Sequence, residues 1–210
     1  MKLFKIYGIM GCGKSTLTES LCETFNATLW VEPFEENPFL PLFYAEMVKE
    51  RGTSINRFAL PLQLYFLTSY MRQNEDIQES EGLNIQDGGA FSGYAYTKTQ
   101  HNSGMITDTE YDYFTSLYKL HRDKLDINHR TLYIDLDPSE AHRRVINRSK
   151  EDTSRSNEQD VPLKYLIFLD ECYRETFEEL DIPVEFINTN GLSKEETVKV
   201  FKDIIDSVQE

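Results

Sequence analysis

Residues 8–15 read Gly-Ile-Met-Gly-Cys-Gly-Lys-Ser, and a glycine followed by four residues and Gly-Lys-Ser is typical of a phosphate-binding loop. Glycines let main-chain N–H groups curl around phosphate oxygens, lysine adds a positive charge, and serine offers a hydroxyl to Mg²⁺. The loop follows a strand-like run and opens a helical pattern, whose positive end attracts anions. We therefore predict a nucleoside triphosphate site formed by Gly8, Met10, Gly11, Cys12, Gly13, Lys14, Ser15 and Thr16.

Glu32 is the second residue whose position suggests chemistry. It follows the apolar run Thr28 to Val31 and precedes Pro33. The carboxyl end of a buried strand is where open α/β sheets bind their ligands. A carboxylate there can accept the proton of an attacking hydroxyl, as a general base must. Position alone leaves a second interpretation open, namely a surface glutamate before a proline that ends the strand.

Composition excludes several classes of protein. The 210 residues include 22 Lys and Arg against 36 Asp and Glu, a net charge of −14, which argues against binding a nucleic acid polymer. No apolar run approaches the roughly 18 residues of a membrane span. Three cysteines without metal-type spacing indicate neither a disulfide framework nor a zinc site. We expect a cytoplasmic protein without a membrane partner, and Cys12 as a small residue that fits the loop rather than a reactive thiol.

Strand-like runs alternate with helical patterns, which predicts an α/β fold with a parallel five-stranded sheet flanked by helices, in one domain over residues 1–210. The predicted strands are Leu3 to Tyr7, Thr28 to Val31, Leu83 to Gln86, Thr131 to Leu136 and Val184 to Ile187. The predicted helices are Lys14 to Phe25, Leu40 to Glu50, Ile55 to Met71, Thr109 to Lys124, Ser139 to Arg148, Leu163 to Leu180 and Lys194 to Val208. Capping patterns support the helices that begin near Thr107, Asp137 and Ser193. The polar stretch Arg148 to Asp160 predicts a mobile loop.

Three further segments, together with the phosphate-binding loop, show a resemblance to a known family. They are Glu32 to Leu40 running into Phe43-Tyr44, Phe58 to Leu67, and Val161 to Leu166. In order and spacing the chain resembles the deoxynucleoside kinases over nearly its whole length, particularly the bacterial deoxyadenosine and deoxyguanosine kinases. The resemblance implies a P-loop kinase fold and ATP- and Mg²⁺-dependent phosphorylation of the 5′-hydroxyl of a deoxynucleoside, with purines favoured. It also implies a dimer, either a homodimer or a heterodimer with a paralogue, through helices near 55–71 and 109–124, although the apolar faces of these helices could equally be core.

The resemblance also implies roles for individual residues. Glu32 matches the base that activates the 5′-hydroxyl, and Gln63 matches the glutamine that binds the nucleobase edge. Tyr44 and Glu158 match the groups that hold the sugar 3′-hydroxyl, and Asp87 matches an acid near Mg²⁺. The polar stretch at about 148–160 resembles the family's lid, which places Arg144, Arg148 and Arg155 on the donor phosphates. Arginine forks suit the charge spread over a transferring phosphoryl group.

The chain departs from the family pattern at three positions. Gly88 stands where the family usually has an arginine near the phosphoryl group, Tyr70 where it has a base-reading arginine, and Gly93 where it has the partner aspartate. A catalytic arginine on a transferring phosphoryl group is worth about 10³ to 10⁵ in rate. Two alternatives therefore stay open: a nucleotide-binding paralogue or subunit without activity, and a kinase of another small alcohol or nucleotide. The retention of Glu32 and Gln63 favours the enzyme, since a scaffold does not require them.

Overall fold

The computed structural model describes residues 2–34, 36–49, 55–125, 127–151, 158 and 160–209. In this part of the chain, five parallel strands form one sheet in the order β2-β3-β1-β4-β5, with helices around it. The strands are β1 (Lys2–Tyr7), β2 (Thr28–Trp30), β3 (Leu83–Asp87), β4 (Arg130–Asp135) and β5 (Val184–Asn188). The predicted α/β fold with a parallel five-stranded sheet is confirmed.

The helices connect and cover these strands. They are α1 (Lys14–Phe25), α2 (Leu40–Lys49), α3 (Ala59–Glu79), α4 (Ala90–Asn102), α5 (Asp108–Leu120), α6 (Arg122–Leu125), α7 (Pro138–Glu151), α8 (Leu163–Glu179) and α9 (Lys194–Gln209). Among the described residues, no helix combines the length and the apolar character that crossing a membrane requires.

Strand β1 lies at the centre of the sheet because its side chains from Leu3 to Tyr7 are all buried, as in strands covered on both faces. Ile6 pairs with Asp87 on one side and with Leu132 on the other. The carboxyl ends of β1 and β3 therefore meet at the same edge of the sheet. This pairing places Asp87 beside the loop that follows β1.

Several predicted boundaries are wrong by more than a residue or two. Helix α3 begins at Ala59, because the Asn56 side chain accepts a hydrogen bond from the Phe58 N–H and forms a turn before it. It continues to Glu79 through a polar sequence, since Asn74 and Ile77 on one face are buried. The predicted helix from Thr109 to Lys124 is two helices, α5 and α6, separated at His121.

Helix α7 continues through Glu151, three residues past its predicted end at Arg148 and into the predicted loop. The reason is a buried face: Val145 and Ser149, four residues apart, both face the interior. Residues 152–157 and 159 of the predicted loop, and Glu50 at the predicted end of α2, lie outside the described residues. Strand β2 ends at Trp30, and Val31 after it is 58% exposed.

Helix α4 was not predicted from the sequence. Nine of its residues are buried, among them Phe91 and Tyr94, and polar and apolar types alternate without a helical period. A helix buried on most sides has no amphipathic stripe to reveal it. Phe91 stacks on Phe177 of α8, with ring centroids 4.1 Å apart, so the helix is held inside the core.

The three predicted caps are confirmed. Thr107 and Glu110 form a reciprocal capping box at α5. Ser193 and Glu196 exchange the same pair of hydrogen bonds before α9. The side chain of Asp137 accepts a hydrogen bond from the Ser139 N–H at the start of α7. Each cap satisfies N–H groups that the first turn of a helix leaves without partners.

Candidate active site

The phosphate-binding loop, residues 8–13, connects β1 to α1 and has no side-chain cap at the helix start. Gly11 has a φ of +83°, and a Cβ built on it would lie 2.4 Å from the Ala141 carbonyl oxygen of α7. No other residue type fits there without a shift of main chain. The loop therefore packs directly against α7.

Lys14, the first residue of α1, curls back over this loop. Its Nζ donates a hydrogen bond to the Gly8 carbonyl oxygen at 2.9 Å. Burial acts to lower the pKa of Lys14, but interactions with Cys12, Asp87 and Glu32 raise it above its ordinary value. The ammonium group therefore stays charged beside the phosphate-binding loop.

Asp87 ends β3 next to the loop and is only 3% exposed. Its Oδ1 atom is buried and has no hydrogen-bond partner among the described residues. An orphaned carboxylate oxygen at such depth is costly unless a ligand satisfies it. It is also the ligand type that Mg²⁺ prefers, and this ion commonly takes one or two carboxylates and keeps its waters. The described residues hold no group of three or more acidic, histidine or cysteine side chains that could cage a metal.

A cavity of about 160 Å³ opens beside the loop. Most of the predicted site residues line it: Met10, Gly11, Gly13, Lys14, Ser15, Thr16, Glu32, Tyr44, Gln63, Arg148 and Glu158. Four others, Gly8, Cys12, Asp87 and Arg144, lie outside the lining, and Arg155 lies outside the described residues. The structure thus places the phosphate loop, the candidate base and the candidate nucleobase reader around one space.

Glu32 lies just after β2, half-buried, and faces this cavity. The Tyr70 hydroxyl of α3 donates a hydrogen bond to Glu32 Oε1 at 3.5 Å. Nearby, Gln73 of α3 donates to the Val31 carbonyl at 2.9 Å and ties the strand end to the helix. The structure therefore does not support the alternative interpretation, a surface glutamate that points to solvent.

The wall opposite the loop is built from α2, α3 and the segment before α8. Gln63 is 2% exposed and faces Gly93, whose Cβ position lies 3.8 Å from Gln63 Oε1. Glu158 forms an ion pair with Arg148 at 2.6 Å. Burial, and then the negative charge of Glu158, raise the pKa of Tyr44 far above its ordinary value. Tyr44 and Glu158 both line the cavity, and the Tyr44 hydroxyl stays neutral at ordinary pH.

Two predicted residues lie beside the loop but not on the cavity. The Arg144 guanidinium pairs with Glu140 one turn away at 2.8 Å, and its Nη1 lies 3.9 Å from the Cβ position of Gly13. Cys12 is buried, and burial raises its pKa, so the thiol stays protonated and unreactive at neutral pH.

Several cavity residues were not predicted as part of the site: Phe66, Ser92, Tyr96, Gln100 and Tyr165. Tyr70 and Gly93, which the resemblance marked as departures from the family pattern, line the cavity as well. Phe66 follows Gln63 by three residues, so the helical period of α3 could have found it. Ser92, Tyr96 and Gln100 on α4 carry no such signal, because the helix itself was not visible in the sequence pattern.

The fold and the loop define a P-loop kinase, and the comparisons with known proteins give its family. The family model for deoxynucleoside kinase matches residues 4–210. The chain is 27% identical over 177 residues to deoxyguanosine kinase of Dictyostelium discoideum, which covers 82% of this chain and 58% of that protein. It is 26% identical over 185 residues to deoxyadenosine kinase of the same organism, which covers 87% of this chain and 70% of that protein.

Solved structures show the same fold. Deoxyadenosine kinase from M. mycoides with the products dCMP and dCDP superposes with a TM-score of 0.79 at 19% identity, over 98% of this chain and 99% of that one. The same kinase with bound dATP gives a TM-score of 0.78, again at 19% identity, over 98% of this chain and 100% of that one. This chain belongs to the deoxynucleoside kinase family, whose members are phosphotransferases with an alcohol acceptor. The predicted family is confirmed.

Proposed function

We propose that this chain transfers the γ-phosphoryl group of ATP to the 5′-hydroxyl of a deoxynucleoside and releases the deoxynucleoside monophosphate. One observation supports this above all: a single cavity joins the phosphate-binding loop to Glu32 and to Gln63. The family match over residues 4–210 supports it independently. A nucleotide-binding scaffold without activity would not need a carboxylate at that place.

In the proposed reaction, Glu32 accepts the proton of the 5′-hydroxyl as the oxygen attacks. The oxygen forms a bond to the γ-phosphorus, and the bond from this phosphorus to the β–γ bridging oxygen breaks, which leaves ADP. Main-chain N–H groups of the loop and the charged Lys14 stabilise the negative charge on the phosphoryl oxygens. Arg144 and Arg148 contribute further positive charge from α7, and Arg155 belongs to the same proposal, although it lies outside the described residues.

Asp87 and Ser15 are proposed to hold Mg²⁺, which when bound neutralises phosphate charge. The orphaned Oδ1 of Asp87 fits this role, as does the Ser15 hydroxyl on the cavity wall.

On the acceptor side, Gln63 is proposed to bind the nucleobase edge, since an amide offers both a donor and an acceptor. Tyr44 and Glu158 are proposed to hold the sugar 3′-hydroxyl, which their place on the wall of one cavity supports. Relatives named as deoxyguanosine and deoxyadenosine kinases support a purine deoxynucleoside as substrate. The polar segment at about 148–160 is proposed as a lid of the single domain 1–210.

We further propose a homodimer in which α3 and α5 form the interface. Two large apolar side chains of α5, Tyr113 and Leu120, are 55% and 74% exposed, which is costly on a surface without a partner. A heterodimer with a paralogue would use the same face. A cytoplasmic location belongs to the same proposal and suits the free thiols of Cys12, Cys22 and Cys172.

The proposal is tested by incubating the chain with radiolabelled ATP and Mg²⁺ and with each of the four deoxynucleosides, their ribonucleosides and their monophosphates. Labelled deoxynucleoside monophosphate, made fastest from a purine, is expected. Label on a monophosphate or on another alcohol would instead identify a different acceptor. ATP binding measured by calorimetry in the same preparation separates an inactive nucleotide-binding protein from one that binds no nucleotide.

A further inference from the structure

Tyr70 is a residue to which neither the motifs nor the proposed reaction has given a task. It lies on α3, is 1% exposed, and stacks on Phe66 with ring centroids 6.4 Å apart. Its hydroxyl faces the cavity and donates to Glu32 Oε1 at 3.5 Å.

Gly88 lies next to the Tyr70 hydroxyl, and its lack of a side chain leaves room for that hydroxyl. It follows β3 with a φ of +77°, a conformation that side chains rarely adopt. A Cβ at this position would lie 3.1 Å from the Tyr70 hydroxyl oxygen and 3.3 Å from Ser92 Oγ. Both contacts are closer than ordinary van der Waals packing. Any residue other than glycine at position 88 would therefore press on the hydroxyl that bonds to Glu32.

The two departures from the family pattern at positions 70 and 88 are thus in contact. The Tyr70 hydroxyl fills the space that a side chain at position 88 would enter. We propose that Tyr70 is a positioning residue that holds the Glu32 carboxylate toward the acceptor hydroxyl, and that Gly88 is present to leave room for it. This inference rests on the proposed function, since it assigns an orienting group to the proposed base.

The chemistry of the pair suits this task. Burial, and then the charge of Glu32, raise the pKa of Tyr70 well above its ordinary value, so the hydroxyl stays protonated and donates. A neutral donor fixes the carboxylate in place. A cation would do so too, but it would lower the proton affinity of the base more strongly. A bond of 3.5 Å is long, as catalytic hydrogen bonds often are before the substrates bind and the site tightens.

The first test is Tyr70→Phe, which keeps the ring and its stacking and removes only the hydroxyl. The expected result is a fall in kcat of about tenfold, with both KM values within about twofold of the wild type, because the lost bond acts on the transition state. Tyr94→Phe is the matched control: Tyr94 is equally buried and its hydroxyl bonds to Glu179 at 2.8 Å, away from the cavity. An unchanged kcat, or a raised KM for the acceptor with kcat unchanged, contradicts the proposal.

The second test is a double-mutant cycle of Tyr70→Phe with Gly88→Ala. In the wild-type background, Gly88→Ala should lower kcat about tenfold, since the new Cβ displaces the hydroxyl. In the Tyr70→Phe background, the same substitution should lower kcat less than about twofold further. Gly82→Ala controls for backbone strain alone, because Gly82 has a φ of +79° and no atom within 4 Å of its Cβ position.

If each substitution lowers kcat about tenfold whether or not the other is present, Tyr70 and Gly88 do not act through one another, and the proposal is overturned. The melting temperature gives a readout that does not depend on turnover. Gly88→Ala should lower it by more than Gly82→Ala does, and by less when Tyr70 is already phenylalanine. A wild-type chain without turnover on any deoxynucleoside would contradict the proposed function, whereas an active wild type with equal melting shifts in both backgrounds would contradict this inference alone.

Discussion

The two sides of the cavity are built by different means. The phosphate side is a contiguous loop whose glycines and lysine match the expected pattern at every position, and its shape is a property of the main chain. The acceptor side is assembled from side chains on α2, α3, α4 and the segment before α8. Two of the departures from the family pattern, Tyr70 and Gly93, line the acceptor side, and the third, Gly88, lies against the Tyr70 hydroxyl.

This contrast follows from what each side must bind. A phosphate offers the same oxygens in every donor nucleotide, so backbone N–H groups and one lysine serve for all of them. An acceptor differs in its base and sugar, so its pocket is read by side chains that can be exchanged. We therefore expect substitutions on the phosphate side to affect ATP, and substitutions on the acceptor side to affect the deoxynucleoside.

The largest expected effect belongs to Glu32, where the two sides meet. Glu32→Gln should lower kcat by about 10² to 10⁴, the range for a lost general base, because an amide cannot accept the proton. ATP affinity should stay within about twofold, since the loop is not touched. Turnover by radiolabel transfer and ATP binding by calorimetry measure the two quantities. A kcat within tenfold of the wild type would remove Glu32 from the mechanism.

Gly11→Ala tests the phosphate side by itself. A Cβ 2.4 Å from the Ala141 carbonyl oxygen must displace the loop or α7, and the positive φ adds strain. We expect the affinity for ATP to fall by a factor of several tens and the free energy of unfolding to fall by about 1–3 kcal/mol. Gly104→Ala is the control, with a φ of +74° and open space around it. Equal losses of ATP affinity in both variants would show that strain alone, and not the loop contact, is responsible.

Gln63→Leu tests the acceptor side by itself. Leucine keeps most of the volume and removes both amide groups from a site with 2% exposure. The KM for the preferred deoxynucleoside should rise about tenfold or more, since a base edge would lose its partner, while the KM for ATP should not change. Gln78→Leu, an exposed position on the same helix, should change neither value. A rise in the KM for ATP alone would reverse the assignment of the two sides.

The phosphate side could be predicted from the sequence because its determinants are local. The loop lies between a strand and a helix that are adjacent in the chain, and α1 has the predicted bounds, Lys14–Phe25. The five parallel strands were also predictable, since buried apolar runs such as Leu3 to Tyr7 interrupt the helical patterns. Local signals of this kind do not depend on which other elements pack nearby.

The acceptor side could be predicted only in part. Glu32 was predicted from its position at the end of a strand, Tyr44 and Gln63 were placed by resemblance to a family, and all three line the cavity. Helix α4 was missed because it is buried on most sides. The contact between Tyr70 and Gly88 joins two elements that are separated in the chain, and spacing in one sequence contains no information about such a contact. The sequence shows that positions 70 and 88 depart from the family pattern, but it does not show that the two residues are in contact.

The smallest expected effect belongs to Arg148, which lies between the acceptor side and the phosphate side of the cavity. Its guanidinium pairs with Glu158 at 2.6 Å on the acceptor wall while its helix packs on the phosphate loop. Arg148→Ala should raise both KM values about threefold to tenfold, because it breaks the partly exposed ion pair with Glu158 and withdraws a charge from the phosphates. Arg143→Ala removes an equally charged residue of α7, 63% exposed and paired with Glu140, and should change neither KM. A rise confined to the KM for ATP would assign Arg148 to the phosphate side, and a rise confined to the deoxynucleoside would assign it to the acceptor wall.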